Sequence, residues 1–306
     1  MKRALGTFAV IGALAAGSLT LSACDASPYA ANVNGHTISQ LSLNDQLKQW
    51  SSNRTWVSSF DSANSQQNGG TGATVAGTGG ANTYSSTFVS DILANMIQVQ
   101  IIHQHLASTG QLPTADEVVA SRAVNEFLRA NYWAEFPQSL RQFLVAQLAE
   151  QAPLTKVSTD SATLKSAYSQ IKPYLFSSVC MITASAFDQT QAQNLASGGT
   201  LTGAHICFSQ SEFEDQPVGL RSAVQKLSVG QISSPIKTSY GYQVVKLESR
   251  PGPGFSAGVQ RVLTVATASN VPPAVSSLIS AAHVKVNPAY GTWANGRITT
   301  PQLSSS

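Results

Sequence analysis

The sequence predicts an α+β protein in which a helical N-terminal region precedes a region of mixed strands and helices. Apolar residues recur at helical spacing from residue 39 to residue 171, with one break at 58–83 that is rich in Gly, Ser, Thr, Asn and Gln. After Pro173 the apolar period shortens to that of strands, with short helical stretches between them. The 306 residues, 42% of them hydrophobic, suffice for about two domains with buried cores.

The charge pattern argues against a nucleic-acid partner. Only 11% of the residues are charged, and the formal net charge is +3. Lys2 and Arg3 lie in a segment that we expect to be removed, which leaves 16 basic residues (18 less these two) against 15 acidic ones. No run of Lys and Arg offers a surface that would neutralise a row of phosphates.

Residues 1–23 have the layout of a secretory signal peptide: a basic start, an uncharged apolar stretch and small residues at the end. A membrane-spanning helix is the alternative, but several Gly and Ser residues dilute the stretch and no basic stop follows it. Leu21-Ser22-Ala23-Cys24 resembles a bacterial lipobox, which implies that Cys24 becomes the lipidated N-terminus. We therefore expect an extracytoplasmic protein that the lipid on Cys24 anchors to the cell membrane.

The three cysteines divide into one lipid acceptor, Cys24, and one pair, Cys180 and Cys207. In an oxidising compartment the pair is expected to form a disulfide that closes a loop of about 27 residues and stabilises the fold by about 3–4 kcal/mol. Their Cα atoms should then lie within about 7 Å of each other. The alternative is a metal site that adds His205, but structural zinc sites favour closely spaced ligand pairs and the sequence has no C-x₂-C. We predict no metal and no cofactor.

The N-terminal region begins with a hairpin and continues with helices. Asn34-Gly35 lies between short alternating apolar stretches within residues 30–38 and predicts a two-residue turn. Helices are expected wherever apolar residues recur at i, i+3 or i+4. They are predicted over residues 39–57, 84–108, 136–150 and 160–171, with one more that starts at the capping-box pair Thr114 and Glu117. We interpret residues 58–83 as a flexible insertion.

The region after Pro173 alternates strands and helices. Ser239-Tyr240-Gly241 is expected to form the turn between two paired strands. The strands are predicted at residues 176–184, 232–237, 242–247 and 283–287. The helices between them are predicted at residues 188–196, 217–227 and 272–282.

A Walker loop, HExxH and a paired-Cys zinc motif are all absent from the sequence. The informative stretch is residues 227–247, LSVGQISSPIKTSYGYQVVKL. It resembles the C-terminal half of the parvulin peptidyl-prolyl isomerase domain, whose pattern is L-x-x-G-x-[IVM]-S-x-P-[IV]-x-[TS]-x-x-G-[YWI]-H-[IV]-[IV]-x-[VL]. Most fixed positions match in order and without a gap, so the resemblance is specific.

The upstream half of the family pattern matches more loosely. Residues 198–201 are similar to its GG-D-LG segment, and Phe208-Ser209 followed by Phe213 is similar to its F-S-x-x-x-M. The resemblance puts Phe213 at the Met position that lines the proline pocket, and Pro217 where the family has its Phe. It implies that Phe213, Pro217 and Tyr242 contact the substrate.

Both family histidines are absent from this sequence. Cys180 or Thr183, depending on register, stands at the first position, and Gln243 stands at the second. An X–Pro bond isomerises over a barrier of about 18–20 kcal/mol that arises from amide resonance, so catalysis needs no nucleophile. It needs an apolar pocket for the proline ring and polar groups that favour the twisted amide over the planar one. Thr238 and Gln243 are the candidate remnants of the catalytic network, and Gln243 forms hydrogen bonds but does not titrate. We expect weak or no isomerase activity; the alternative is an active isomerase.

The flanks resemble the SurA/PrsA type of extracytoplasmic foldase, in the order hairpin (A-x-V-N-G-x-x-I), helices, parvulin-like domain and closing tail at 284–293. The resemblance implies a helical SurA-like chaperone module formed by the N-terminal helices and the C-terminal segment, with a parvulin-like domain of antiparallel sheet and helices inserted between them. It also implies that strand 283–287 pairs with the hairpin. The domains that follow from it are a signal peptide at 1–23, the helical module at 24–172, the parvulin-like domain at 173–250 and the C-terminal segment at 251–306.

This resemblance implies a membrane-anchored chaperone or foldase that binds unfolded or newly secreted polypeptides. Tyr132, Trp133 and Phe136 are candidates for exposed contacts with them, and packing in the core is the alternative for each. A solute-binding or structural envelope lipoprotein is the alternative from another functional class. A small-solute binder favours two α/β lobes around a cleft, which this order of elements does not suggest.

Overall fold

The computed structural model describes residues 29–67, 74–77, 83–157, 161–268 and 271–299. The predicted signal peptide, Cys24 and parts of the 58–83 segment lie outside the described residues. Contacts divide the chain into two compact units. The described parts of Met1–Thr114, Asn131–Ser158 and Thr264–Ser306 form the first unit, and those of Ala115–Ala130 and Thr159–Leu263 form the second. None of the helices in the described ranges is long and apolar enough to cross a membrane.

The described residues form α-helices and antiparallel strands, which matches the predicted α+β class. The helices are α1 Gln40–Ser51, α2 Arg54–Gln67, α3 Ser86–Thr109, α4 Ala115–Leu128, α5 Gln138–Gln151, α6 Ser161–Ile171, α7 Gln189–Ser197, α8 Gln210–Glu214, α9 Val218–Lys226, α10 Ala257–Thr267 and α11 Pro273–Ala281. The strands are β1 Tyr29–Val33, β2 His36–Ser39, β3 Ser178–Ala186, β4 Ala204–Ser209, β5 Ile236–Thr238, β6 Gly241–Ser249, β7 Val284–Val286, β8 Thr292–Ala294 and β9 Arg297–Thr299.

The predicted helix at 39–57 is interrupted, so that α1 and α2 replace it. Asn53 causes the interruption. Its side-chain oxygen accepts a hydrogen bond from the Trp56 N–H at 2.8 Å, and its amide donates to the Tyr132 carbonyl oxygen at 3.0 Å. An Asn in this position satisfies an otherwise unpaired N–H at the helix start.

Helix α2 extends to Gln67, into the segment that the sequence predicts as flexible. Phe60 stacks on Trp56 with ring centroids 5.1 Å apart, and the side chain of Val75, further along the segment, is buried. The composition of residues 58–83, rich in Gly, Ser, Thr, Asn and Gln, does not indicate these buried apolar contacts. Residues 58–67 are thus helical where the sequence predicts a flexible insertion.

An aromatic cluster fills the core of the first unit. The ring of Trp50 lies 4.6 Å from that of Trp56 and 5.5 Å from that of Phe136, between centroids. Trp133 and Phe136 are only 1% and 2% exposed, so core packing is the correct alternative for both. Tyr132 is half-buried and meets Phe136 edge-on. These three aromatic side chains therefore serve the core and do not form an exposed contact surface.

A three-stranded antiparallel sheet in the order β2-β1-β7 closes the first unit. Asn34 and Gly35 form the predicted two-residue turn with positive φ angles of 50° and 91°, which Asn and Gly tolerate best. Ala31 pairs with Val286 and Val33 with Val284. The predicted pairing of the tail strand with the hairpin is confirmed.

The second unit is built on a four-stranded antiparallel sheet in the order β4-β3-β6-β5. Helix α4 also belongs to this unit, although its sequence lies inside the predicted module 24–172. Ion pairs to buried carboxylates hold it there: Arg261 lies 2.7 Å from Glu117, and Arg122 pairs with Glu214. The limits of the compact units differ from the domain bounds that the resemblance implies, and those bounds stay predictions.

Candidate functional site

The sheet of the second unit has two faces with separate apolar clusters. Side chains alternate along a strand, so Val245 and Leu247 of β6 point to one face and Tyr242 and Val244 to the other. The first face packs against α8 and α9; its cluster, which we call the core cluster, comprises Phe176, Val179, Met181, Phe213, Leu220, Val224, Ile236, Val245 and Leu247. The second face packs against α7; its buried members are Ala186, Ala192, Leu201 and Val244.

Gln243 points to the face of the core cluster, where the family has its second histidine. It pairs with Ser185 of β3 on one side and with Ile236 of β5 on the other. Of the two alternatives for the first histidine position, Thr183 shares this face by strand alternation, whereas Cys180 points to the opposite face. The polar side chains that the sheet gathers beside Gln243 are therefore Thr183 and Ser185. Sequence reasoning missed Ser185, which the spacing of two residues from Thr183 could have indicated.

Thr238 closes the turn between β5 and β6. Its hydroxyl donates a hydrogen bond to the Gly241 carbonyl oxygen at 3.2 Å and accepts one from the Tyr240 N–H at 3.3 Å. The side chain is exposed, and both hydrogen bonds stay within the turn. Thr238 and Gln243 are thus brought to the same end of the sheet, but no hydrogen bond in the described residues joins them.

Gly241 lets this turn lie against the end of β3. Its φ is 128°, and a Cβ atom there would come within 2.5 Å of the Ala186 carbonyl oxygen and 3.3 Å of Phe187 Cα. Only glycine fits such an approach without strain. The close contact fixes the ends of β3, β5 and β6 next to one another.

The three residues predicted to contact the substrate do not share a surface. Phe213 is 1% exposed and meets Phe176 edge-on with ring centroids 5.6 Å apart. Pro217 is exposed and precedes α9. Tyr242 is half-buried on the α7 face, opposite to Gln243. Phe213 therefore contributes to the core cluster, and its role in a proline pocket stays a prediction.

Two exposed aromatic residues at the same end of the sheet escaped the sequence reasoning. Phe187 follows β3 and is 90% exposed, and Tyr240 lies in the β5–β6 turn and is 94% exposed. The approach of Gly241 to Ala186 and Phe187 brings their backbones together. We call Phe187 and Tyr240 the aromatic rim. The only signal in the sequence is that each occupies a strand end or turn, where polar residues usually stand.

A buried ionic cluster joins α4 to α8 and α9. Arg122 of α4 pairs with Glu214, and Glu126 of α4 lies 3.8 Å from Arg221 and accepts a hydrogen bond from Gln225 at 3.0 Å. Burial, and then the charge of Glu214, raises the pKa of Glu126 to about 7. The second carboxylate oxygen of Glu126 is buried and has no hydrogen-bond partner in the described residues. Burial of these charges costs free energy of folding. The charged side chains of the cluster lie on helices and not on the strands that carry Gln243 and Thr238.

Cys180 and Cys207 form the predicted disulfide. They are direct partners on β3 and β4, with Cα atoms 4.1 Å apart, well inside the predicted limit. The sulfur atoms are bonded to each other, so they offer no thiolates to a metal. No group of three His, Cys, Asp or Glu side chains in the described ranges is arranged to hold a metal ion.

Comparison with protein families identifies the sheet domain. Residues 155–249 match the rotamase family model, the PPIC-type PPIASE domain. The chain carries a PPIC-type domain. The parvulin-like domain predicted from residues 227–247 is thereby confirmed, and the sheet, Gln243 and the aromatic rim all lie within it. None of the curated proteins matches the chain.

Several solved structures align with most of the chain at low identity. A structure of the SurA-like chaperones PEB4 and Cj1289 of Campylobacter jejuni is 13% identical, covers 85% of this chain and 99% of its own, and gives a TM-score of 0.23. The foldase PrsA of Lactococcus lactis is 14% identical, covers 86% of this chain and 96% of its own, and gives a TM-score of 0.27. These TM-scores are too low to establish a shared arrangement of the elements. The α+β class therefore rests on the helices and strands of the chain itself.

Proposed function

We propose that the chain is a membrane-anchored extracytoplasmic chaperone or foldase that binds unfolded, newly exported polypeptides, and that its PPIC-type domain has weak or no isomerase activity. The observation that carries the proposal is a PPIC-type domain with no histidine at either family position. A domain that keeps the sheet but lacks both histidine side chains is better suited to binding a polypeptide than to catalysing the isomerisation of its prolyl bonds.

The chemistry of the replaced positions supports this division. Catalysis requires a surround that stabilises the twisted amide more than the planar one. Gln243 and Ser185 can donate and accept hydrogen bonds, but neither can change its charge near neutral pH. The hydroxyl of Thr238 is already engaged within its own turn. Few groups are therefore free to respond to the developing transition state.

The aromatic rim supports polypeptide binding. Phe187 and Tyr240 are the two most exposed large apolar side chains among the described residues. Aromatic side chains contact peptides with much area and little loss of conformational entropy, and they do not require a defined sequence. Their position on an open end of the sheet, beside Ser185 and Gln243, fits an extended chain that also receives hydrogen bonds.

Isomerisation of X–Pro peptides by residues 25–306 tests the weak-activity part of the proposal. We expect little acceleration for any residue X, and no further loss in Gln243→Ala, because the amide of Gln243 does not replace the family histidine. The measurement is the rate of cis–trans exchange in peptides with different X, on protein shown to be folded by circular dichroism. Clear acceleration that Gln243→Ala abolishes would establish the alternative of an active isomerase.

Binding of a permanently unfolded, labelled protein to residues 25–306 tests the chaperone part. We expect the double variant Phe187→Ser, Tyr240→Ser to bind about tenfold more weakly, since hot-spot aromatics contribute about 1–2 kcal/mol. Val229→Ser is the matched control: Val229 is 61% exposed, but it precedes Gly230, which pairs with Leu247 at the other end of β6. No binding by the unmutated chain would overturn the proposal and favour a solute-binding or structural lipoprotein. Equal binding by the double variant would overturn only the role of the aromatic rim in binding.

The membrane anchor is proposed from the sequence of residues 1–24. Two or more acyl chains on Cys24 would hold the protein firmly at a membrane, at about 0.8 kcal/mol per buried CH₂. We expect the full chain to fractionate with membranes and Cys24→Ser to be released into the soluble extracytoplasmic fraction. Membrane retention of Cys24→Ser would instead support the spanning-helix alternative.

A further inference from the structure

The disulfide of the PPIC-type domain lies at an open edge of the sheet. β4 is an edge strand and carries Cys207, which is an exposed residue, while its partner Cys180 on β3 is half-buried. Neither residue belongs to the core cluster or to the cluster on the α7 face. The bridge therefore lies outside both apolar clusters, and Cys207 is accessible to solvent.

A histidine and a carboxylate stand on the same side of the sheet as the bridge. His205 precedes Cys207 by two residues in β4, so strand alternation points both side chains to one face, about 7 Å apart along the strand. His205 Nδ1 lies 2.9 Å from a carboxylate oxygen of Glu248, and the two side chains are 69% and 33% exposed. Polar side chains therefore share this face of β4 with Cys207.

The position of the bridge has a chemical consequence. Thiol–disulfide exchange requires a thiolate to reach one sulfur in line with the bond that breaks, and exposed bridges are the labile or catalytic ones. Cys207 is the reachable end, and Cys180 is the leaving end. An exposed edge strand also allows an extended chain to approach alongside β4, because its outer backbone groups are not used in the sheet.

We propose that the Cys180–Cys207 bridge is a thiol–disulfide exchange site that oxidises cysteine pairs in unfolded polypeptides. A thiolate of the polypeptide attacks Cys207 Sγ, the Cys180–Cys207 bond breaks, and Cys180 leaves as a thiolate that takes up a proton. The second thiolate of the polypeptide then attacks the polypeptide's own sulfur in the mixed disulfide and releases Cys207 as a thiolate. Two electrons pass from the polypeptide to the bridge, which ends as two thiols, while the polypeptide gains one disulfide.

This activity goes beyond the proposed function, since it involves neither prolyl bonds nor the aromatic rim. The test mixes oxidised residues 25–306, without oxygen, with a short synthetic peptide that contains two cysteines. Alkylation and mass spectrometry count the thiols on both partners. We expect one peptide disulfide for each bridge reduced, with the domain still folded by circular dichroism. A bridge that stays oxidised in the folded chain and reacts only after denaturation would overturn the proposal and leave a structural staple.

Single-cysteine variants test which sulfur reacts. Cys180→Ser leaves the exposed Cys207 thiol, and Cys207→Ser leaves the half-buried Cys180 thiol. We expect the first to form a mixed disulfide with the oxidised peptide about tenfold faster than the second, since reactivity follows exposure and thiolate character. Equal rates for the two single variants would contradict the assignment of Cys207 as the attacked sulfur.

Discussion

Replacing Phe213 with alanine is expected to destabilise the PPIC-type domain by about 3–5 kcal/mol. The side chain is 1% exposed and packs edge-on against Phe176 within the core cluster. Truncation removes buried apolar area and leaves a cavity that the surrounding strands cannot fill. The measurement is the unfolding midpoint of residues 25–306 in urea, followed by a signal of the second unit such as hydrogen exchange in β6.

Pro217→Ala is the matched control for Phe213→Ala. The resemblance gives both residues the same role in a proline pocket, but Pro217 is exposed at the start of α9. Its replacement should change stability by less than about 1 kcal/mol. A Phe213→Ala variant of normal stability that loses binding of proline peptides would contradict the core role and restore the predicted pocket.

Replacing Glu126 with glutamine is expected to stabilise the second unit, to which α4 belongs, above neutral pH by up to about 3 kcal/mol. Burial, and then the charge of Glu214, raises the pKa of Glu126 from 4.5 to about 7, although Arg221 offsets part of this effect. The folded chain therefore binds the proton more tightly than the unfolded chain does. Stability falls for this reason as the pH rises from 4.5 to about 7, and the loss persists above that range. Glutamine keeps the shape of the side chain without the charge.

The measurement is the free energy of unfolding at several pH values between 4.5 and 8. Glu126→Gln should match the unmutated chain at the acidic end and exceed it increasingly toward pH 8. Glu135→Gln is the control, because it makes the same charge change at an exposed carboxylate. A variant less stable than the unmutated chain at pH 8 would mean that ion pairing with Arg221 outweighs the cost of burial.

Local signals in the sequence were sufficient for much of the fold. Asn34-Gly35 specifies its turn because few other residues adopt those φ angles, and Gly110 ends α3 with a φ of 68° for the same reason. The motif at 227–247 identified the PPIC-type domain because its turn and strand positions follow one another without a gap. The Cys180–Cys207 pairing followed from counting, since only one pair remained once Cys24 was set aside.

What lay beyond the sequence depended on contacts between distant residues. Nothing near α4 indicates that it joins the second unit, because its partners Glu214 and Arg261 lie far along the chain. The burial of Phe213 and the exposure of Phe187 could not be told apart from composition, since both are apolar residues next to strand or helix ends. Residue type and local spacing determine helices, turns and motifs, whereas the free energy of burial depends on which surfaces meet. For this chain the sequence determined the domain, and only the tertiary structure decided which of its side chains pack inward and which remain exposed, because burial depends on contacts between distant residues.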